Sequence, residues 1–181
     1  MEDLSLHILD IVENAIRAQA QHVRITVRED LSHDLVTIDI EDDGAGMSED
    51  FKRRVLDPFT TTKKTSRIGL GLPLFEQAAK MCDGDFSIFS EKGTGTKVHA
   101  TFRYSHIDRK PMGKMSHTLL TLIAGNPAID FSYTHARENT TVHFDTQEWK
   151  RELDGVPINN PEVFRLIKKE LVATLGKVGV S

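Results

Sequence analysis

The apolar residues change period abruptly after about residue 21, and that change leaves few folds open to the chain. From Leu4 to about Gln21, Leu4, Ile8, Ile11, Val12, Ala15 and Ile16 recur at steps of three and four, the stripe of an amphipathic helix. Val23, Ile25 and Val27 then alternate with His22, Arg24, Thr26 and Arg28. Beyond a polar turn, Glu29 to Asp34, the residues Val36, Ile38 and Ile40 repeat the alternation. One striped helix followed by two one-faced strands buries its apolar groups by laying helix on sheet. The short polar turn makes the two strands an antiparallel hairpin.

Further on, Ser48 stands as an N-cap before Glu49 and Asp50, with Phe51, Val55 and Leu56 on the apolar side of a short helix. Pro58 to Arg67 carries four threonines and three basic residues without helical or strand period, and reads as a loop. A helix resumes at Gly71, tolerating Pro73 in its first turn and terminated by Gly84. Phe86 and Ile88, then Val98, Ala100 and Phe102, predict a second hairpin closed by Glu91–Gly95. Past Tyr104 the texture changes. Arg109-Lys110-Pro111 reads as a linker, followed by a helix over Met115–Ala124, strands over Ala128–Tyr133 and Thr140–Phe144, and a helix over Pro161–Leu175. The expectation is an α+β chain, with residues 1–104 as one domain and 105–181 as a small α/β C-terminal extension.

A net charge of −4 supplies no basic field for nucleic acid. No apolar run approaches the ~18 residues of a spanning helix, so a membrane is not an expected partner either. The start, MEDLSLHILD, is acidic and passes directly into the helical pattern, unlike a signal peptide. The single cysteine, Cys82, excludes an internal disulfide and a cysteine-rich zinc site. The expected location is cytoplasmic.

Four segments carry residue types that suit a nucleoside triphosphate with magnesium. On the first helix Asp10, Asn14 and Arg17 share one stripe. They offer a carboxylate for a proton, an amide oxygen for a hard cation and a guanidinium for phosphate. A solvated polar face would show the same residues. Asp42-Asp43-Gly44-Ala45-Gly46 places a carboxylate at a strand end, able to accept from an exocyclic amine, ahead of glycines that let a flat ligand approach. A plain turn would look similar. Gly69-Leu70-Gly71-Leu72-Pro73 leads into a helix whose first N–H groups and dipole favour an anion. It lacks the lysine of a Walker loop and the preceding strand of a Rossmann turn. Thr60, Thr61, Thr62, Lys63 and Lys64 suit a lid that closes over phosphates, or else an exposed basic loop.

In order, the asparagine helix, the Asp42–Gly46 turn, Pro58-Phe59-Thr60-Thr61-Thr62-Lys63, Gly69–Pro73 and Gly93-Thr94-Gly95-Thr96 resemble the motif series of the GHKL ATPase superfamily of gyrases, histidine kinases and mismatch-repair ATPases. The resemblance spans about Leu4 to Phe102. It implies the Bergerat ATP-binding fold, a two-layer α/β sandwich with a mixed sheet under helices, and ATP with Mg²⁺ as cofactors. By the same resemblance Asn14 is the magnesium ligand. Asp42 reads adenine, with Gly44 and Gly46 forming the base pocket. Gly69, Leu70 and Gly71 hold phosphates, Thr96 sets a hydroxyl near the adenine, and Thr61, Thr62 and Lys63 belong to the lid. Asn14-Ala15-Ile16-Arg17-Ala18 is similar to the mitochondrial dehydrogenase kinases, which implies a phosphate contact for Arg17. Several subfamilies carry a glutamate general base four residues before the asparagine. Asp10 stands there, one methylene shorter, and Glu13 on an adjacent face is the weaker base. Arg67 takes the place of the usual first glycine of the phosphate-binding run.

Too few residues precede the first helix to build a histidine kinase's dimerising hairpin, and His7 shares a rigid helix with Asn14, which suits it poorly as an internal acceptor. The expectation is a Mg-ATP-binding protein of the histidine-kinase-like type: a protein kinase acting in trans, or a slow ATPase, in regulation. Its protein partner or phosphoacceptor is unknown, and homo-oligomerisation is left open. The alternative is a non-catalytic switch or interaction module reshaped by ATP. The eight histidines, His135 and His143 included, show no metal-ligand spacing, and Trp149 reads as packing within the extension. The extension resembles small stand-alone ATP-binding proteins of anaerobic bacteria, some encoded near iron-only hydrogenase subunits.

Overall fold

The computed structural model describes residues 3–56 and 70–181. Helix α1 (Leu4–Arg17) is followed by strands β1 (His22–Asp30) and β2 (Leu35–Asp42), then helices α2 (Glu49–Val55) and α3 (Gly71–Met81). Strands β3 (Phe86–Glu91) and β4 (Gly95–Arg103) precede helix α4 (Met115–Gly125). Strands β5 (Asp130–Arg137) and β6 (Thr140–Asp145) and helices α5 (Thr146–Glu152) and α6 (Pro161–Gly176) complete the order.

Strand alternation sets the two faces of a six-stranded sheet ordered β3-β4-β2-β1-β5-β6. Ladder partners share a face, so Ile25 opposite Ile40, Ile38 opposite Ala100, Ile40 opposite Val98 and Tyr133 opposite Phe144 form one continuous apolar surface. Residues of α1, α3, α4 and α6, among them Ile8, Phe75, Leu119 and Ile167, join the same core cluster. The opposite face carries Arg24, Arg28, Asp39, Glu41, Lys97 and His99, paired with one another as in His99 Nδ1 to Asp39 at 2.8 Å. The result is a two-layer α+β sandwich with a mixed sheet, antiparallel except for β1 against β5. No helix among the described residues is long and apolar enough to cross a membrane.

Several local expectations change. Helix α1 stops at Arg17, not near Gln21: Gln19 turns left-handed (φ 61°) and the Ala20 N–H returns to the Ala15 carbonyl at 3.1 Å. That turn buries Ala20 and brings the chain into β1 at His22. The left-handed residue ending α3 is Asp83 (φ 53°), not Gly84. Gly84 is required instead because a Cβ there would collide with the Thr101 carbonyl. Helix α5 was not anticipated; the Asp145 carboxylate caps it by accepting from the Gln147 N–H at 2.7 Å. Residues 105–181 build no sheet of their own: β5 runs parallel to β1, and one core cluster takes in residues from both sides of residue 104.

A buried polar chain fastens that parallel pair. His135 is fully buried; its Nε2–H donates to Glu29 Oε1 at 2.8 Å, and its Nδ1 accepts from the Tyr133 hydroxyl at 2.8 Å. Burial alone would raise the Glu29 pKa, but the hydrogen bond from His135 and the charges of Arg137 and Arg109 bring it below the usual carboxylate range. Burial pushes the Tyr133 phenol upward, so it stays a donor. Replacing Glu29 with alanine leaves the imidazole N–H unpaired in the core and is expected to cost about 2–3 kcal/mol in urea unfolding. Because the folded pKa of Glu29 is depressed, its contribution is present above the unfolded carboxylate pKa and is lost as pH falls through the folded value. The gap between wild type and Glu29→Ala should therefore narrow in acid, and a gap that is constant with pH contradicts this assignment.

Candidate functional site

The C-terminal half of α1, the turn after β2, the starts of β4 and α3, and α2 enclose a cavity of about 460 Å³. Asn14, Arg17, Asp42 and Thr96 supply its polar lining, with Ile11, Ala15, Met47, Val55, Leu72 and Val98 among its apolar walls. Asp42 reaches it because it lies two residues after Ile40 on the helix-covered face of β2, opposite Thr96 of β4. Its carboxylate accepts the Gly44 N–H at 2.8 Å. Burial raises its pKa, the neighbouring Asp43 charge adds to this, and the backbone N–H groups of Gly44 and Thr96 oppose it. An apolar slot with one half-buried carboxylate suits a flat heterocycle that carries an amine donor.

The turn keeps its shape through backbone contacts. The Ala45 N–H donates to the Ala18 carbonyl at 2.8 Å, and the Gly93 N–H donates to the Ala45 carbonyl at 2.7 Å. Gly46 (φ 64°) lies so close to the β3–β4 hairpin that a Cβ would collide with the Glu91 carbonyl. A Cβ on Gly44 would fall 2.8 Å from Asp42 Oδ1 and 2.9 Å from the Ala18 carbonyl. Gly46 therefore permits close approach of chain to chain, while Gly44 lets the turn fold back over Asp42. Ser90, which carried no signal in the sequence, ties the cluster together. Its hydroxyl accepts from the Met47 N–H at 2.8 Å, donates to the Gly95 carbonyl at 3.0 Å and meets Thr96 Oγ1 at 2.9 Å.

On α1, Arg17 donates to Asn14 Oδ1 at 3.1 Å and to Glu13 Oε2 at 2.8 Å. The Asn14 amide nitrogen is buried and has no hydrogen-bond partner among the described residues. The Asp10 pKa is raised by burial and by Glu13, against the opposing charge of Arg17. Gly71 packs directly on this carboxylate's stem: a Cβ on Gly71 would lie 2.9 Å from Asp10 Cβ and 3.6 Å from its Oδ2. The first turn of α3, which starts after Leu70 without a side-chain cap, thus meets α1 at Asp10. Thr61, Thr62, Lys63, Arg67 and Gly69 lie outside the described residues. His7 is buried and stacked on Phe75 at 5.4 Å, and burial lowers its pKa to about 4, so it is a neutral core group. His143 contacts Thr134 at 3.0 Å, away from His135, and no group of three His, Cys, Asp or Glu residues among those described is placed to hold a metal.

A two-layer sandwich with an asparagine helix, a half-buried strand-end carboxylate and the first turn of α3 around one cavity defines an ATPase domain of the GHKL class. The chain belongs to the family described as "Histidine kinase-, DNA gyrase B-, and HSP90-like ATPase", whose model matches residues 2–106. It is 34% identical over 112 residues to the non-motile and phage-resistance protein of Caulobacter vibrioides, a match covering 57% of this chain and 13% of that protein. It is 35% identical over 95 residues to sporulation kinase E of Bacillus subtilis, covering 51% of this chain and 13% of the kinase. The chain therefore spans only about an eighth of these relatives' length. Among solved structures, the Aquifex aeolicus MutL ATPase domain complexed with ADP shares the fold at a TM-score of 0.50 and 15% identity, over 78% of this chain and 62% of that one.

The raised pKa of Asp10 has a stability consequence of unusual sign for an aspartate. The folded state holds the proton more tightly than the unfolded chain, so ionisation of Asp10 destabilises the fold above its folded pKa and has no effect below its unfolded pKa. Asp10→Asn is expected to raise the melting temperature at neutral pH, with the difference vanishing in acid. A lower melting temperature for Asp10→Asn at neutral pH would show that the carboxylate is a net stabiliser.

Proposed function

We propose that the chain binds Mg-ATP in the cavity between α1 and the Asp42–Gly46 turn and directs its γ-phosphate to a protein acceptor in trans or, slowly, to water, in a regulatory role. The observation that carries this reading is the meeting of α3 with α1, where Gly71 sits against Asp10 while Asn14, one turn on from Asp10, lines the cavity. Phosphoryl transfer asks a protein mainly for positioning and charge neutralisation. Asp42 accepts from the adenine amine, and the apolar walls hold the ring. The uncapped first turn of α3 suits phosphate, and Arg17 adds a cation at the cavity edge. The Asn14 oxygen, oriented by Arg17 and retaining a second lone pair, fits a magnesium ion, which would neutralise phosphate charge. Asp10, with its pKa raised toward the working range of a base, suits proton removal from a hydroxyl or water nucleophile. Relatives named as kinases, sporulation kinase E and the signal transduction histidine-protein kinase AtoS of Escherichia coli, support the kinase side of the reading.

The alternative, a nucleotide-driven switch with no turnover, draws its support from the short side chain of Asp10 and from the extension's place in the same sheet. Calorimetry and turnover separate the two. Wild type should bind Mg-ATP, and Asp42→Ala should weaken binding by roughly 10- to 100-fold, as for a lost buried hydrogen bond. Asp10→Asn should bind normally while losing hydrolysis and losing the labelling of any protein in a cell extract supplied with labelled ATP. Binding by wild type with neither hydrolysis nor labelling selects the switch. No heat with saturating Mg-ATP removes both.

A further inference from the structure

A second feature links the nucleotide turn to the C-terminal extension, which lies beyond the family match at residues 2–106. Asp43 follows the adenine-reading Asp42, yet its side chain points away from the cavity and into a hydrogen-bonded chain. Its Oδ1 accepts the backbone N–H groups of Gln21 and His22 at 2.7 and 2.9 Å, and its Oδ2 meets His22 Nδ1 at 2.8 Å. The other ring nitrogen, Nε2, lies 3.2 Å from the Gln147 amide nitrogen at the start of α5, and that nitrogen also donates to Asp130 Oδ2 at 3.1 Å. Lys150 fixes Asp130 from α5, donating to its Oδ1 at 2.6 Å and to the Ile129 carbonyl at 2.9 Å.

The donors and acceptors along this path are complementary when Nδ1 carries the ring proton, and Asp130 Oδ2 itself lies 3.4 Å from Nε2. Nδ1–H donates to Asp43, and Nε2 accepts from Gln147, which has a second N–H for Asp130. Asp43 is thus tied on one side to the turn that carries Asp42 and on the other to two elements of the extension. A shallow depression of about 280 Å³ opens over the bridge, with Arg24, Glu41 and Asp145 on its rim. These rim groups have partners of their own: Arg24 pairs with Glu41 at 3.6 Å, and Asp145 caps α5.

We propose that His22 is a positioning residue for the nucleotide site, and that through it Gln147 and Asp130 of the extension set how firmly the Asp42–Gly46 turn grips the base. The proposal rests on the nucleotide reading above and adds a route by which whatever binds or moves α5 alters nucleotide affinity. By reciprocity, nucleotide alters α5 to the same degree.

The test is a double-mutant cycle on the full chain, with Mg-ADP affinity measured by calorimetry. Gln147→Ala, which touches nothing in the cavity, is expected to weaken Mg-ADP about two- to fivefold, the range for a solvent-accessible polar pair. His22→Asn keeps an amide donor for Asp43 but cannot reach Gln147. It is expected to retain near-wild-type affinity and to make Gln147→Ala silent. An equal factor in both backgrounds, or no effect in wild type, overturns the proposal. A purely structural role would lower melting temperatures without this dependence on residue 22. Hydrogen exchange on the unmodified chain needs no variant to fold: Mg-ADP should slow exchange over Thr146–Glu152. Tight binding with unchanged exchange there defeats this proposal alone, whereas no Mg-ADP binding by wild type defeats the nucleotide reading itself.

Discussion

Three stretches of backbone touch one another almost without side chains, and the site depends on that contact. The end of α1 offers the Ala18 carbonyl, the turn after β2 answers with the Ala45 N–H, and the β3–β4 hairpin closes on the Ala45 carbonyl through Gly93. Gly46 and Gly95 make room, since a Cβ on either would meet a carbonyl of the facing segment. Buried backbone groups demand partners, so these hydrogen bonds hold the segments at fixed separation. That separation sets Asp42, Asn14 and Thr96 around one cavity although they come from three different elements.

Two carboxylates, Glu29 buried and Asp10 half-buried, show how differently the same fold treats an acid. Glu29 is matched by His135 and Arg137 and stays ionised below the ordinary range. Among the described residues Asp10 has no such partner, and burial and its neighbour Glu13 raise its pKa. The first arrangement consolidates the join between the strands; the second leaves a carboxylate whose basicity is increased at some cost to the fold. Poorly compensated groups of this kind are characteristic of sites that act on a ligand, since a fully satisfied side chain has little left to offer one.

The strands and the first helix were legible because alternation and the three-four stripe are direct projections of burial, and the sandwich follows from them. What the periodicity did not carry was set by particular contacts, some local and some distant in sequence. The end of α1 is fixed by the need to bury Ala20, the requirement at Gly84 by the Thr101 backbone, and α5 by an Asp145 cap that resembles any acidic residue at a strand end. The parallel placement of β5 has no local signal at all. In the site, Asn14, Arg17 and Asp42 stood out because their chemistry is unusual for their positions, Thr96 only through the resemblance of its motif, and all four line one cavity. Ile11, Ala15 and Val98 were indistinguishable from core, since the wall of an apolar slot and the interior of a protein select the same side chains. Ser90 was hidden because its partners lie on other segments.

The parallel pairing of β1 with β5 also governs the order in which the molecule can be assembled. Strand β1 leaves the ribosome well before the residues that cover its outer edge, which follow more than a hundred positions later. In the interval an apolar strand carrying Val23, Ile25 and Val27 presents unpaired N–H and C=O groups, the kind of edge on which chains stack into aggregates. A polypeptide cut back to the family-matching segment would keep that exposed edge permanently. The last third of the chain is therefore also a shield for a nascent sheet, and the buried Glu29–His135 join is the latch that holds the shield closed.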